Sequence, residues 1–177
     1  MITCNLMGGL GNQIFQIFAT ISYAIKSKNR FQFLNLTTLG AGSTTVRYTF
    51  WETFFSNIKP FLISELPQPI HVIRENGFPY NELPVREMGN QNVMIYGYFQ
   101  SYKYFQENYD IIYRLLNIDK MKHELIDNLN LNSNYMDLEN TVSMHFRIGD
   151  YKKIQDFHPL ATYEYYERTL EYFKSIH

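Results

Sequence analysis

The chain has 177 residues, and its 16 Lys and Arg nearly balance its 17 Asp and Glu, giving a formal net charge of −1. Its 45% hydrophobic and 19% charged residues are typical of an ordinary globular protein and exclude a disordered one. The two signs of charge are interspersed, so no basic face points to nucleic acid.

An apolar run over residues 2–7, ITCNLM, opens the chain and predicts a short strand. The run is too short for a signal peptide or a membrane span, so we expect a cytoplasmic protein, with peripheral association at a membrane left open. Cys4 is the only cysteine. This excludes an intrachain disulfide and a zinc site built from several cysteines, and we expect Cys4 to be a buried thiol.

A glycine turn, GGLG at residues 8–11, follows this strand and leads into a predicted helix. Apolar residues at helical spacing mark one face of that helix: Ile14, Phe18, Ile21 and Ile25. Strand, glycine turn and helix are the opening unit of a doubly wound α/β domain, and backbone N–H groups at such a helix start suit an anion. Taken alone, the turn is more typical of a tight βα connection. It is not a dinucleotide fingerprint, which needs a glycine at position 14.

The middle of the chain is less regular. Residues 31–36 predict the second strand, and short helices are predicted near residues 50–55 and 61–66. An aromatic cluster lies in this region, and we expect it to belong to the core: Tyr48, Phe50, Trp51, Phe54 and Phe55.

A buried strand is predicted over residues 93–99, VMIYGYF. Ser101 is the predicted N-cap of a helix over residues 102–116. That helix is expected to bury four side chains: Phe105, Tyr109, Ile112 and Leu116.

A short helix is predicted over residues 123–129, and the polar stretch 130–140 is the best linker candidate. We therefore expect two domains, residues 1–138 and residues 139–177.

Residues 141–147, TVSMHFR, alternate between apolar and polar and predict a strand with one buried face. His145 and Arg147 share the other face at its carboxyl end, where α/β sheets bind ligands, and a guanidinium there suits a phosphate or carboxylate. By themselves such residues are more typical of a structural histidine and of a surface arginine or ion-pair partner. A final helix is predicted over residues 162–175.

Three separated segments resemble the α-1,2-fucosyltransferase family of glycosyltransferases. They are GGLGNQIFQIFA at 8–19, GYFQSYKYF at 97–105 and HFRIGDY at 145–151, in the family's order; HPLATYEYY at 158–166 is similar to the segment after the arginine motif. The resemblance covers nearly the whole chain and corresponds to the family's N-terminal region. It implies a GT-B fold of two Rossmann-like domains facing a cleft. Here the N-terminal domain would be followed by the first βα unit of an incomplete second domain.

The reaction that this resemblance implies is transfer of fucose from GDP-fucose to a hydroxyl of a galactoside glycan, with inversion and with no required metal or cofactor. The nucleoside diphosphate gains negative charge as it leaves, and without a metal that charge must be stabilised by arginine and backbone donors.

The motif match also implies site residues. Arg147 matches the first arginine of the family's H-x-R-R-x-D motif and is the expected β-phosphate contact, and His145 and Asp150 are expected to orient it and the turn. Four residues are expected to face the phosphate or the acceptor from the glycine turn: Gly9, Gly11, Asn12 and Gln13. No residue is assigned as a metal ligand or as the general base.

The sequence departs from the family in two ways. Ile148 replaces the motif's second arginine, and the later F-S-D-D and S-S-F-S-W-W segments do not occur. We therefore expect the guanine and ribose pockets to be missing, and this chain to transfer little or no fucose unless a second chain completes it. The alternative is a non-catalytic remnant that acts as a binding or assembly module. An unrelated α/β nucleotide-binding protein is disfavoured by the three ordered segments.

Overall fold

The structure, a computed structural model, describes residues 1–40, 46–84, 91–128, 141–156 and 158–176. The chain divides into two compact units, Met1–His123 and Glu124–His177. The predicted domain boundary after residue 138 and the predicted linker 130–140 lie outside the described residues.

A parallel sheet is the centre of the first unit. Strands β1 (Ile2–Cys4), β6 (Ile70–Arg74) and β7 (Asn92–Tyr96) form its main part, with β7 between the other two. All pairs are parallel, and β7 runs in register with both neighbours over its length.

Two further strands extend this sheet on the other side of β1. Strand β2 (Phe33–Leu34) pairs in parallel with β5 (Leu62–Ile63), and a parallel bridge between Ile2 and Phe31 joins the pair to β1. The strand order is therefore β5-β2-β1-β7-β6. A short antiparallel ribbon, β3 (Thr38–Leu39) with β4 (Arg47–Tyr48), stands apart from it.

Helix α1 (Leu10–Lys26) packs against β1 and buries one face completely. Its core residues include Ile17, Phe18, Ile21 and Ala24. Helix α2 (Tyr109–Leu115) and the 3₁₀ turns before it also pack against α1. In this contact the rings of Phe18 and Phe105 meet edge to face, with centroids 5.3 Å apart. Helix α3 (Ile118–Asn128) contains the point at which the two units divide.

The predicted class is confirmed: the chain is mixed α/β, with a parallel sheet and helices. The predictions of β1, α1, β2 and β7 are confirmed, each strand being shorter than its apolar run. Of the aromatic cluster, Trp51 and Phe55 are buried and Phe50 and Phe54 pack against the core, whereas Tyr48 is 67% exposed.

Several further predictions in this unit are wrong, among them the short helix near residues 50–55, where residues 51–55 form turns. Residues 102–116 form two 3₁₀ turns before α2, because Phe105 has φ −136°, which lies outside the helical range. Tyr109 is half exposed rather than buried. In place of a helix over 61–66 the chain forms a 3₁₀ turn, Ser56–Phe61, and then β5, where Leu62 and Ile63 pair with β2.

The predicted strand over residues 141–147 is also wrong. In the second unit these residues form no regular structure and no strand pairing, and both Val142 and Phe146 are largely exposed. A strand is stabilised by a paired neighbour, and the described residues of this unit provide none. Besides the end of α3, the regular elements in the described part of this unit are a 3₁₀ turn, Gly149–Lys153, and helix α4 (Tyr163–Ile176), which confirms the last predicted helix. Within the described ranges, every helix is too short or too polar to cross a membrane.

Candidate functional site

The candidate site is the edge of the first unit where β1 and β7 end. The glycine turn follows β1, and the GYFQS loop, residues 97–101, follows β7. Because β1 and β7 are neighbouring parallel strands, both segments leave the sheet at the same edge. The sheet continues on both sides of β1, so the order in which the chain adds strands reverses there. In α/β proteins, ligands bind in the crevice beyond the carboxyl ends of the strands at such a point.

The glycine turn exposes the start of α1. Gly8 has φ +74°, and a Cβ there would collide with the side chain of Asn12, so this position requires glycine. Gly9 is the N-cap residue, the described structure gives α1 no side-chain cap, and its first turn holds no acidic residue. A Cβ built at Gly9 or Gly11 meets nothing within 4 Å. Open space therefore adjoins backbone N–H groups at the positive end of the helix dipole.

Two buried glutamines hold this turn. Gln16 accepts a hydrogen bond from the Met7 N–H (2.9 Å) and donates one to the Met7 carbonyl (3.2 Å). Gln13 donates to the carbonyl oxygens of Gly8 (3.0 Å) and Tyr48 (2.8 Å), while its own Oε1 is buried without a hydrogen-bond partner among the described residues. Both side chains are fully buried. Gln13 is thus placed to support the turn from beneath, and its side chain offers no surface to a ligand.

Asn12 joins the two segments. Its Oδ1 accepts a hydrogen bond of 2.8 Å from the Nε2 of Gln100 in the GYFQS loop. Asn12 is half-buried and Gln100 is exposed, so this amide pair lies at the surface of the edge. An amide carries both donors and acceptors, which suits it to sugar hydroxyls as well as to phosphate oxygens.

Glu75, just after β6, fixes the GYFQS loop. Its Oε2 accepts hydrogen bonds from the N–H groups of Tyr98 (2.7 Å) and Phe99 (2.9 Å), and Oε1 accepts one from the Tyr104 hydroxyl (3.2 Å). Burial, with the Glu75 charge adding to it, raises the pKa of Tyr104, which keeps this hydroxyl a donor. Gly97 lies against Glu75 so closely that a Cβ would collide with it.

Phe99 is buried with φ +52°, a left-handed conformation that costs a non-glycine residue about 1–2 kcal/mol. The carboxylate of Glu75 stabilises that conformation, and it orients Gln100 toward Asn12. Backbone strain of this kind concentrates at functional sites.

The remaining predicted site residues lie in the second unit. Arg147 is exposed, and its guanidinium carbon lies 4.3 Å from the centroid of the Tyr151 ring. His145 is exposed, and its carbonyl accepts a hydrogen bond from the Tyr166 hydroxyl. Asp150 belongs to the 3₁₀ turn Gly149–Lys153, and its side chain falls outside the described part of the chain.

The structure therefore assembles the predicted residues in two groups. Gly9, Gly11, Asn12 and Gln13 lie at the start of α1 in the first unit, and His145, Arg147 and Asp150 lie along one short segment of the second. Within the described ranges, no group of three or more His, Cys, Asp or Glu side chains is placed to hold a metal ion. Cys4 is buried, as predicted, and burial raises the pKa of its thiol to about 12.

Sequence reasoning missed three residues of this edge. Gln16 had a signal, because Gln13, Gln16 and Thr20 form a polar stripe at helical spacing on a helix whose remaining residues are mostly apolar. Gln100 lay inside a recognised motif without an assigned role. Glu75 had no local signal, since its partners are more than 20 residues away along the chain.

Comparison of the chain with protein-family models, with curated proteins and with solved structures finds no match.

Proposed function

We propose that the chain is the acceptor-side domain and adjoining segment of an α-1,2-fucosyltransferase, which transfers fucose from GDP-fucose to a galactoside hydroxyl. In this proposal the fold is Rossmann-like and of the GT-B type. Arg147 contacts the donor's β-phosphate, and the glycine turn faces the acceptor or the phosphate.

The observation that carries the proposal is the hydrogen bond between Asn12 and Gln100. Two of the segments that resemble the family, 88 residues apart at these positions, meet at one surface point on the carboxyl edge of a parallel sheet. The neighbouring strands β1 and β7 bring both segments to this edge, and the bond between the two amide side chains places them at one surface there.

The chemistry available at this edge fits a sugar acceptor beside a charged leaving group. The amides of Asn12 and Gln100 offer donors and acceptors to hydroxyl groups, and the uncapped start of α1 offers backbone N–H groups to an oxyanion. Tyr48, whose carbonyl is bonded to Gln13, exposes 67% of its surface and so presents an aromatic ring near the glycine turn.

The test is calorimetric titration of the chain with lactose, a simple galactoside, and separately with GDP-fucose. Asn12→Ala is expected to weaken lactose binding about tenfold, since an amide hydrogen bond to a ligand is worth about 1.5 kcal/mol. Asn29→Ala, which alters an asparagine at the opposite, amino-terminal edge of the sheet, is the control and is expected to leave lactose binding unchanged. Arg147→Ala is expected to weaken GDP-fucose binding, with Arg168→Ala as its exposed control in α4.

Donor binding separates the two candidate functions, because this chain alone is expected to transfer little or no fucose. GDP-fucose binding that depends on Arg147 supports the enzyme, and fucosylated lactose would show in addition that the chain needs no second chain. Lactose binding that depends on Asn12, without GDP-fucose binding, favours the binding module. A folded chain that binds neither ligand overturns both.

A further inference from the structure

The aromatic residues after Arg147 form a stack whose role the motif comparison does not explain. The Arg147 guanidinium carbon lies 4.3 Å from the centroid of the Tyr151 ring. The His158 ring stacks on Tyr151 with a centroid separation of 4.6 Å and an interplanar angle of 16°. We call Arg147, Tyr151 and His158 the Tyr151 stack.

The backbone between these residues is tied in two steps. The Ile154 N–H donates to the Tyr151 carbonyl (3.1 Å), and the His158 N–H donates to the Ile154 carbonyl (2.9 Å). These bonds bring His158 back to the ring of Tyr151. The 3₁₀ turn Gly149–Lys153 in turn carries Tyr151 back toward Arg147, four residues before it.

The residues before Arg147 are held by α4. The Phe146 ring lies 4.6 Å from the Tyr166 ring, and the Tyr166 hydroxyl donates a hydrogen bond of 3.2 Å to the His145 carbonyl. Arg147 is therefore positioned from both sides although its segment forms no strand. The backbone before it rests on α4, and its side chain rests on Tyr151.

We propose that Tyr151 is a positioning residue for Arg147, and that His158 holds the Tyr151 ring in place. The inference rests on the proposed function, in which Arg147 binds the donor's diphosphate. Stacking engages the flat face of a guanidinium and none of its N–H donors, which point outward in the plane and suit two phosphate oxygens. Tyr151 thus limits the orientations of a long, exposed side chain. Fewer orientations mean less entropy lost when the anion binds.

The first test is independent of any ligand. In a ¹⁵N-labelled chain, the Arg147 Hε resonance, assigned through Arg147→Lys, is expected to be shifted by the ring current of Tyr151. Tyr151→Leu should abolish that shift, Tyr151→Phe should keep it, and Tyr163→Leu, which removes an exposed tyrosine of α4, should not change it. An unshifted resonance in the folded wild-type chain, or a shift that survives Tyr151→Leu, overturns the stack.

The second test is GDP binding by the same variants, with inorganic pyrophosphate as a second probe. Tyr151→Leu is expected to raise the Kd of both about two- to fivefold, as for loss of one exposed cation–π contact, and Tyr151→Phe to restore the wild-type value. Equal affinity in the wild type and Tyr151→Leu overturns the positioning role while leaving the proposed function intact. A wild-type chain that shows the ring-current shift but binds neither probe overturns the proposed function, and the positioning role with it.

Discussion

The two buried glutamines of α1 make a matched pair for testing how the glycine turn is held. Gln13 and Gln16 are the same residue type on the same helix, and both are fully buried. They differ in the hydrogen bonds of their side-chain amides. Gln16 bonds both its oxygen and its nitrogen to Met7, whereas the Oε1 of Gln13 has no partner among the described residues. Replacement by methionine, which is close in size and cannot make these bonds, isolates that difference.

Gln16→Met removes two hydrogen bonds and leaves the N–H and C=O of half-buried Met7 without them. Each net bond is worth about 1 kcal/mol and each abandoned buried group costs about 1–3 kcal/mol, so we expect the free energy of unfolding to fall by about 2–4 kcal/mol. Gln13→Met also removes two bonds, but it removes the unpaired oxygen as well. That relief offsets most of the loss, and we expect a decrease of about 1 kcal/mol or less.

The assay is urea unfolding followed by circular dichroism, with both variants and the wild type measured together and their m-values compared. The prediction is a lower midpoint for Gln16→Met than for Gln13→Met, at unchanged m. Equal midpoints, or a larger loss for Gln13→Met, would refute the hydrogen-bond assignment at the glycine turn.

Three other predictions concern the same unit. Gly97→Ala should lower the free energy of unfolding by about 2 kcal/mol, because its methyl group displaces the Glu75 carboxylate from two N–H groups; a urea midpoint equal to wild type would contradict this. Gly11→Ala should raise the free energy of unfolding by about 0.5–1 kcal/mol, because the position is helical and has room for a methyl group. The same methyl group should weaken lactose binding, and unaltered binding would argue against a ligand at Gly11. The thiol pKa of Cys4 is raised by burial to about 12, so any stability linked to this proton is fully present below the unfolded-state pKa near 9 and is lost as pH rises toward 12. At pH 8 a thiol reagent should label Cys4 only after unfolding in urea, and rapid labelling of the folded chain would show that the thiol is accessible.

How far the sequence predicts this protein depends on whether the signal is local. The α1 face follows from apolar spacing at Ile14, Phe18, Ile21 and Ile25, and β1 and β7 follow from short apolar runs, because burial of one element leaves a periodic pattern in its own residues. Strand β6 was missed because His71, Val72 and Arg74 are exposed, so its sequence lacks the apolar run typical of a buried strand.

The segment over residues 141–147 shows the opposite error. Its alternation satisfies the pattern for a strand, but pairing depends on a neighbour that the pattern does not contain, and the described part of the second unit forms no sheet. The residues of the candidate site likewise divide into those with a local sequence signal and those without one. The glycine turn was visible in the sequence, whereas the Glu75 carboxylate and the Asn12–Gln100 pair depend on contacts across 23 to 88 residues.

We propose that the glycine turn and the GYFQS loop form one binding site at the carboxyl edge of the sheet. The most direct measurement is amide chemical-shift mapping of the ¹⁵N-labelled chain during addition of lactose. We predict that the amides of Gly9, Gly11 and Gln100 shift together and saturate at one ligand concentration, and that Asn12→Ala weakens the response of all three. Shifts confined to other parts of the chain, or a different saturation concentration for each segment, would contradict the claim.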